Sequence, residues 1–275
     1  VCAVLEKEQP EGVIVQFGGQ TAIGLAKGLA ARGYRILGTS LEDTDRAEDR
    51  GLFDRVLQEI GVRRPRGGCV SSLAEGEKLA GEIGFPLMVR PSYVLGGRAM
   101  QIVYDLPELR AVLAGAFAEF PGQQIWLDQY LLGKEVEVDA IADGETVCIP
   151  GIMEHLERAG IHSGDSIAVY PPQSIPPEQQ EAIAGLTVGL ARRLQIKGLV
   201  NIQYVIHRDE VYVLEVNPRS SRTVPFMTKV TGVPLVDLAT RVILGESLAG
   251  MGIKHGLWPV GDKVAVKAPV FSFSK

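Results

Sequence analysis

The fold is decided by the stretch GLVNIQYVIHRDEVYVLEVN, residues 198–217, which predicts two strands joined by a turn at Arg208. Side chains two positions apart on a strand share a face, so Glu215 and Asn217 project together and Gln203 on the partner strand can lie beside them. One carboxylate and two amide oxygens are hard ligands that suit Mg²⁺, which also takes phosphate oxygens and water. The alternative is an exposed strand end with ordinary polar residues.

Two arginines directly downstream, Arg219 and Arg222, favour the metal interpretation. Guanidinium groups form paired, charge-assisted hydrogen bonds with phosphate oxygens. A metal cluster beside two such groups is typical of phosphoryl transfer, in which positioning and charge neutralisation do most of the catalytic work.

A second candidate segment is RPSYVLGGRAM, residues 90–100, in which Gly96 and Gly97 join two predicted strands. Glycines allow backbone N–H groups to approach phosphates closely. A plain hairpin turn is the alternative, although the flanking Arg90 and Arg98 favour a phosphate contact. The spacing fits neither G-x-G-x-x-G nor a Walker A loop, which makes a nicotinamide-binding protein a distant possibility.

Two further segments have open interpretations. The polar loop HSGDS, residues 162–166, lies between two predicted strands and is either a ligand loop or a solvated turn. The turn Gly18-Gly19-Gln20-Thr21 could cradle a phosphate at a helix N-terminus, or could simply start that helix. The histidines outside the polar loop have no obvious catalytic companions and are predicted to be structural; these are His155, His207 and His255.

Composition sets the class of protein. The chain has 275 residues, 46% hydrophobic and 22% charged, which is close to the globular average and excludes a disordered or fibrous chain. Net charge of −5 argues against nucleic acid as a partner, and no apolar run approaches a membrane span. Three widely spaced cysteines fit a reducing, cytoplasmic setting.

Alternating strand and helix patterns predict an α/β and α+β fold. Gly12–Phe17 indicates a buried strand, and it is followed by a helix and a further strand that form part of a doubly wound unit. Spacing predicts a helix at Leu73–Ile83 and a strand at Ile125–Gln129. Glu135–Ile141 alternates charged and apolar residues, which predicts a strand with one face in water. The tail after Met251 has no strong pattern.

Five strings in this order, IVQFGGQT, DRAEDR, RPSYVLGGRAM, GIMEHLERAGIHSGDS and EVNPRSSRTVPF, resemble an ATP-grasp enzyme. The chain is most similar to the large subunit of carbamoyl-phosphate synthase, in its second, carbamate-phosphorylating half. The resemblance implies a partial pre-ATP-grasp unit at residues 1–40, an ATP-grasp domain at 41–250 with a smaller lobe at about 66–130, and a tail at 251–275. It also implies that the chain is a fragment.

The resemblance assigns roles by position. Gln203, Glu215 and Asn217 match magnesium ligands, and Arg219 and Arg222 match arginines that face the carbamate and the transferred phosphoryl group, with Asn217 in the catalytic set. The nucleotide contacts match Arg50, Arg90, Gly96, Gly97, Gln129, Leu131, Glu135, Gly160, Ile161, His162, Ser163, Gln203 and Glu215. Whether Glu135 or Glu137 binds the ribose stays open.

The implied function is phosphorylation of carbamate by ATP, with Mg²⁺ or Mn²⁺ and with K⁺ as a further candidate ion. The implied partners of the intact enzyme are a first synthetase half and a glutaminase subunit, with neither nucleic acid nor membrane. Two alternatives stay open: another ATP-grasp carboxylate–amine ligase, and a nucleotide-binding fragment without turnover.

Overall fold

The computed structural model describes residues 1–91, 100–161 and 164–270. The chain folds into two compact units. The first contains residues 1–63, 134–157 and 166–275, and the second contains residues 64–133 and 158–165. Within the described ranges, every helix is too short or too polar to cross a lipid bilayer.

The first unit begins with helix α1 (Cys2–Glu8), strand β1 (Val13–Ile14), a 3₁₀ turn at Gln16–Gly18, helix α2 (Gly19–Ala30) and strand β2 (Ile36–Leu37). The two strands are parallel, and the apolar side of α2 packs against them through Ile23 and Ala26. The predicted strand at Gly12–Phe17 is therefore wrong in length, because the chain turns into the 3₁₀ helix after Val15. Helices α3 (Leu41–Glu48) and α4 (Arg50–Glu59) follow.

The second unit, which comes next along the chain, has a four-stranded antiparallel sheet. Its strands are β3 Gly67–Val70, β4 Leu87–Pro91, β5 Gln101–Val103 and β6 Ile125–Gln129, and they lie in the order β3-β6-β4-β5. Helices α5 (Leu73–Ile83) and α6 (Leu106–Glu119) pack on it, with Leu109, Leu113 and Leu127 in the core. Ser72 caps α5, because its Oγ accepts a hydrogen bond from Glu75 N at 3.2 Å. The predicted bounds of α5 and β6 are confirmed.

A large, mostly antiparallel sheet forms the body of the first unit. The strand bounds are β7 Lys134–Asp143, β8 Val147–Ile149, β9 Ile152–Arg158, β10 Ala168–Tyr170, β11 Lys197–His207, β12 Glu210–Asn217, β13 Gly256–Leu257 and β14 Ala265–Lys267. These strands run in the order β12-β11-β7-β9-β10-β14, with β8 paired to β7 and β13 paired to β8. The tail that lacked a sequence pattern therefore supplies two strands.

Helices cover both faces of this large sheet. One face packs against α4 and α7 (Pro177–Arg193) through a core that includes Val138, Val200 and Leu190. The other face packs against α8 (Val224–Thr231) and α9 (Leu235–Ile243) through Ile141 and Leu199.

Candidate active site

Two rows of polar residues cross strands β7, β11 and β12 on one face of the large sheet. Directly opposed residues in antiparallel strands share a face, so the pairing register defines the rows. They are Glu137–Gln203–Glu215 and Asp139–Asn201–Asn217. The register shifts between Gln203 and Tyr204, which marks a β-bulge beside the first row. Bulges commonly re-aim side chains next to active sites.

The three predicted metal ligands lie together in these rows. Gln203 is directly opposite Glu215 on the neighbouring strand, and Asn217 lies two residues after Glu215 on the same face. Asn217 Nδ2 donates to Glu215 Oε1 at 2.9 Å. The Glu215 side chain is exposed and Gln203 is half-buried, so both can reach a ligand from solvent.

This donor set suits a magnesium ion that is held partly by nucleotide phosphates. Among the described residues, no three histidine, cysteine, aspartate or glutamate side chains converge as a metal site. The cluster therefore offers one carboxylate and two amide oxygens, which are hard donors that need further oxygens from phosphate or water. A bare divalent ion should accordingly bind weakly here.

Arg219 is held by a set of short contacts beside the ligand cluster. Its Nη2 donates to Asn217 Oδ1 at 3.0 Å, and its Nε donates to Gln20 Oε1 at 3.0 Å. Gln20 comes from the Gly18–Thr21 turn, which places that motif next to the predicted catalytic arginine. Arg222 is exposed on the same loop.

The prediction that one face of β7 is exposed to water is wrong. Glu135, Glu137 and Asp139 are 3%, 2% and 1% exposed. The latter two carboxylates are buried because donors converge on them. Asn201 Nδ2 donates to Glu137 Oε1 at 2.7 Å and to Asp139 Oδ1 at 2.9 Å, and Thr223 Oγ1 lies 2.6 Å from Asp139 Oδ2. An alternating sequence pattern identifies the polar face of a strand, but it does not show whether that face contacts water or a buried hydrogen-bond network.

The pKa values of the two buried carboxyl groups, Asp139 and Glu137, are shifted in opposite directions. Burial and the neighbouring charge of Glu137 raise the pKa of Asp139 to about 6. Burial would also raise the pKa of Glu137, but the hydrogen bond and charge of His155, together with the hydrogen bonds from Asn201 and Thr223, outweigh burial and lower that pKa. Glu137 is therefore the carboxylate that carries the negative charge of the pair most firmly.

His155 belongs to this network, which the sequence did not indicate. Its Nε2 lies 3.2 Å from Glu137 Oε2, and its Nδ1 lies 2.7 Å from Ser166 Oγ. All three side chains are buried. The sequence predicted two strands that flank the polar loop at residues 162–166, without bounds, and it gave no signal that pairs His155 with Ser166 or Glu137.

The second unit holds other predicted nucleotide contacts. Arg90, on β4, forms an ion pair with Asp128 on the adjacent strand β6. Gln129 ends β6, and the buried Leu131 follows it. Gly160 has φ +98°, and an added Cβ there would lie 3.2 Å from Met88 Cε. Such a residue is favoured as glycine on conformational and steric grounds.

The other predicted nucleotide contacts lie at separate points of the chain. Arg50 begins helix α4 and is half-buried, and Ile161 is exposed. Glu135 lies on β7 opposite Val205. Gly96, Gly97, His162 and Ser163 lie outside the described residues.

Sequence comparison identifies the class. A family profile described as carbamoyl-phosphate synthase L chain, ATP binding domain, matches residues 49–251, and a second, described as carbamoyl phosphate synthase preATP-grasp domain, matches residues 1–46. Since the first match covers well over half of the chain, this chain belongs to the carbamoyl-phosphate synthase L chain ATP-binding domain family, within the ATP-grasp ligases. The predicted ATP-grasp fold with a pre-ATP-grasp unit is confirmed, whereas the domain limits at 40 and 250 stay predictions.

Solved structures share the fold at low identity. Biotin carboxylase from Campylobacter jejuni, in a βγ-ATP complex, has a TM-score of 0.78 and 20% identity over 92% of this chain and 59% of its own. The biotin carboxylase domain of Hydrogenobacter thermophilus 2-oxoglutarate carboxylase, with MgADP, ADP and bicarbonate, has a TM-score of 0.79 and 20% identity over 96% of this chain and 59% of its own. This chain thus spans about three fifths of each of these relatives.

Proposed function

We propose that this chain transfers the γ-phosphoryl group of ATP to an oxygen of carbamate. The new bond joins that oxygen to Pγ, the bond between Pγ and the bridging oxygen breaks, and ADP leaves with carbamoyl phosphate as the other product. The observation that carries this proposal is the cross-strand pair Gln203–Glu215, with Asn217 on the same face and Arg219 bonded to Asn217.

These residues supply what such a transfer needs. Gln203, Glu215 and Asn217 would hold Mg²⁺, which when bound neutralises charge on the ATP phosphates. Arg219 and Arg222 offer planar guanidinium forks, which match phosphoryl oxygens better than a lysine ammonium does. Because two anions must meet, charge neutralisation and positioning are the main requirements.

No general base is needed, since carbamate is already an anion. His155 is buried and bonded to Glu137 and Ser166, which supports a structural rather than a proton-transferring role. The loop carrying Arg219 therefore meets the substrate with fixed positive charge and not with a titrating group.

The ATP half of the proposal rests on the family and on the second set of residues. The matched family is described as ATP-binding, and one relative of the same fold was solved with MgADP. Arg90 and Arg50 are the proposed phosphate contacts. Either Glu135 or Glu137, both buried on β7, is the proposed ribose contact.

The proposal extends to partners of a longer protein. Carbamate is unstable in water, so a chain that consumes it needs a nearby source. We propose that a first synthetase half, supplied with ammonia by a glutaminase subunit, provides it. This chain alone should then give no carbamoyl phosphate from bicarbonate and glutamine.

The test is the reverse reaction, ATP formation from ADP and carbamoyl phosphate with Mg²⁺ or Mn²⁺, followed by luciferase. Arg222→Ala should lower the rate by about 10²- to 10³-fold, the usual cost of one transition-state donor, with little change in ADP affinity. Arg90→Ala should instead weaken ADP binding. If the two variants behaved alike, or if wild-type protein made no ATP, the proposed reaction would be wrong.

A second candidate is another ATP-grasp ligase that phosphorylates a different carboxylate. The fold it shares with biotin carboxylases supports keeping it. Phosphate release from ATP with bicarbonate or with small carboxylates plus amines, but without a reverse reaction from carbamoyl phosphate, would favour this candidate.

A further inference from the structure

The Gly18–Thr21 turn makes side-chain hydrogen bonds that phosphate binding would not require. Gln20, in the first turn of α2, is engaged at both ends of its amide. Its Oε1 accepts from Arg219 Nε at 3.0 Å, and its Nε2 donates to Glu48 Oε2 at 2.6 Å. A residue near the start of the chain thus contacts a proposed catalytic arginine 199 positions away.

The remaining contacts of Arg219 complete its orientation. Nη2 donates to Asn217 Oδ1 at 3.0 Å and Nη1 to the Ser220 carbonyl at 3.2 Å. Each guanidinium nitrogen therefore has one acceptor. Within the described part of the chain, three of the five N–H donors of this arginine have acceptors, which leaves one on each Nη nitrogen for an anion.

The backbone of the arginine loop is tied to the same turn. Ser220 N donates to the Gln16 carbonyl at 2.9 Å. Gln16 is 2% exposed, and its side chain donates to the Lys197 carbonyl at 2.9 Å and accepts from Leu199 N at 3.1 Å. The segment around residues 16–20 is therefore bonded both to the start of β11 and to the loop that carries Arg219.

Glu48 binds the amide nitrogen of Gln20 and so supports the hydrogen bond between Gln20 and Arg219. Its Oε1 is buried and has no hydrogen-bond partner among the described residues, while Oε2 accepts from Gln20. Hydrogen bonds in a chain polarise one another, so a carboxylate on the amide nitrogen makes the amide oxygen a better acceptor for Arg219. Gln20 itself is exposed, so the bond to Arg219 depends on this support.

We propose that Gln20, supported by Glu48, is a positioning residue that holds the guanidinium of Arg219 with its two remaining Nη donors directed to the anion that is phosphorylated. This inference rests on the proposed function for the identity of that anion. The orientation of Arg219 can be measured independently of it.

The test compares Gln20→Leu, which removes both bonds at similar size, with Glu48→Gln, which keeps an acceptor and removes the charge. Gln179→Leu is the matched control, since Gln179 also lies in the first turn of a helix and has a long contact of 3.4 Å to an acid, Asp209. Two readouts are used: the split between kcat and KM in the reverse reaction, and the rate at which phenylglyoxal modifies Arg219, followed by peptide mass spectrometry.

Gln20→Leu should lower kcat by roughly 10- to 100-fold, with KM for ADP within about twofold, because misplacing a catalytic group by about 1 Å can cost 10²-fold. Modification of Arg219 should become several-fold faster. Glu48→Gln should lie between Gln20→Leu and wild type, and Gln179→Leu should match wild type in both readouts.

The outcomes separate the two proposals. If wild type makes no ATP but Arg219 is modified faster in Gln20→Leu, the proposed reaction fails and the positioning role stands. If Gln20→Leu leaves both kcat and the modification rate unchanged, the positioning role is overturned. A loss of kcat matched by a lower unfolding midpoint, with Arg219 modified at the wild-type rate, would also overturn it.

Discussion

Asn201 should be among the most sensitive polar positions in the chain, and Asn201→Asp tests this with almost no change of shape. Asn201 is 2% exposed, and its NH₂ group donates to Glu137 at 2.7 Å and to Asp139 at 2.9 Å. An aspartate at this position replaces both donors with an acceptor. Three carboxyl groups would then face one another in a buried site.

The magnitude follows from those two bonds. A hydrogen bond to a charged group contributes about 1.5–3 kcal/mol, so losing both should cost roughly 3–6 kcal/mol of the free energy of unfolding. Folded domains have only about 5–15 kcal/mol in total. The variant should therefore be close to unfolding at neutral pH.

The loss of unfolding free energy caused by Asn201→Asp should become smaller as the pH is lowered. Asp139 has a pKa raised to about 6 by burial and by Glu137, above the ordinary value of an unfolded aspartate. A carboxyl group whose pKa is raised on folding contributes most stability below its unfolded pKa, and that contribution is lost as pH rises through the folded value. The introduced carboxyl follows the same rule, and its proton restores one donor. The difference in unfolding free energy between wild type and Asn201→Asp should thus be smaller at about pH 5 than at about pH 8.

Urea unfolding followed by circular dichroism at both pH values measures this difference. Thr187→Val is the control, because Thr187 Oγ1 lies 2.7 Å from Tyr204 Oη in a buried, neutral pair. Burial raises the pKa of Tyr204 further above neutrality, so the cost of the control should not change between the two pH values. A cost below about 1 kcal/mol for Asn201→Asp, or one independent of pH, would refute the charge-network interpretation.

Two further substitutions test neighbouring parts of the site. Gly198→Ala should lower the thermal unfolding midpoint markedly, because Gly198 has φ +109° and an added Cβ would lie 2.2 Å from Gln16 Oε1; an unchanged midpoint in calorimetry would contradict the packing described here. Glu215→Gln should weaken MgADP binding in calorimetric titration while leaving the circular dichroism spectrum unchanged, and equal affinity would remove Glu215 from the metal ligands.

Local signals were enough for much of the fold. The helix at Leu73–Ile83 and the strand at Ile125–Gln129 have strong periodicity and clear ends, and the structure has both with the predicted bounds. The hairpin at residues 197–217 was also predictable, because polar residues at its turn separate two apolar runs. Its register then brings Gln203 opposite Glu215.

Strands β9 and β10 were predicted only as the two strands that flank the polar loop at residues 162–166, without bounds. Both strands are buried on both faces over at least part of their length. Burial in β9 therefore does not alternate along the strand, and β10 has only three residues, Ala168–Tyr170. Residues of such strands are specified by burial and by pairing with other strands, of which β14 is distant in sequence, and not by a local alternation. His155 was therefore assigned a structural role without any indication that Glu137 is its partner.

The burial of β7 shows why site chemistry depends on contacts that a local pattern does not contain. On one face of this strand, Ile141 packs against α8 and α9, and two residues earlier Asp139 meets Asn201 and Thr223. The same face thus changes from apolar core to polar network within one pleat. The arginine loop is attached at that boundary, through Thr223 to β7 and through Ser220 to Gln16. Its conformation is set by segments more than 80 and 200 residues away in sequence. A substitution at Asp139 or Gln16 should consequently disturb Arg219 without touching any substrate.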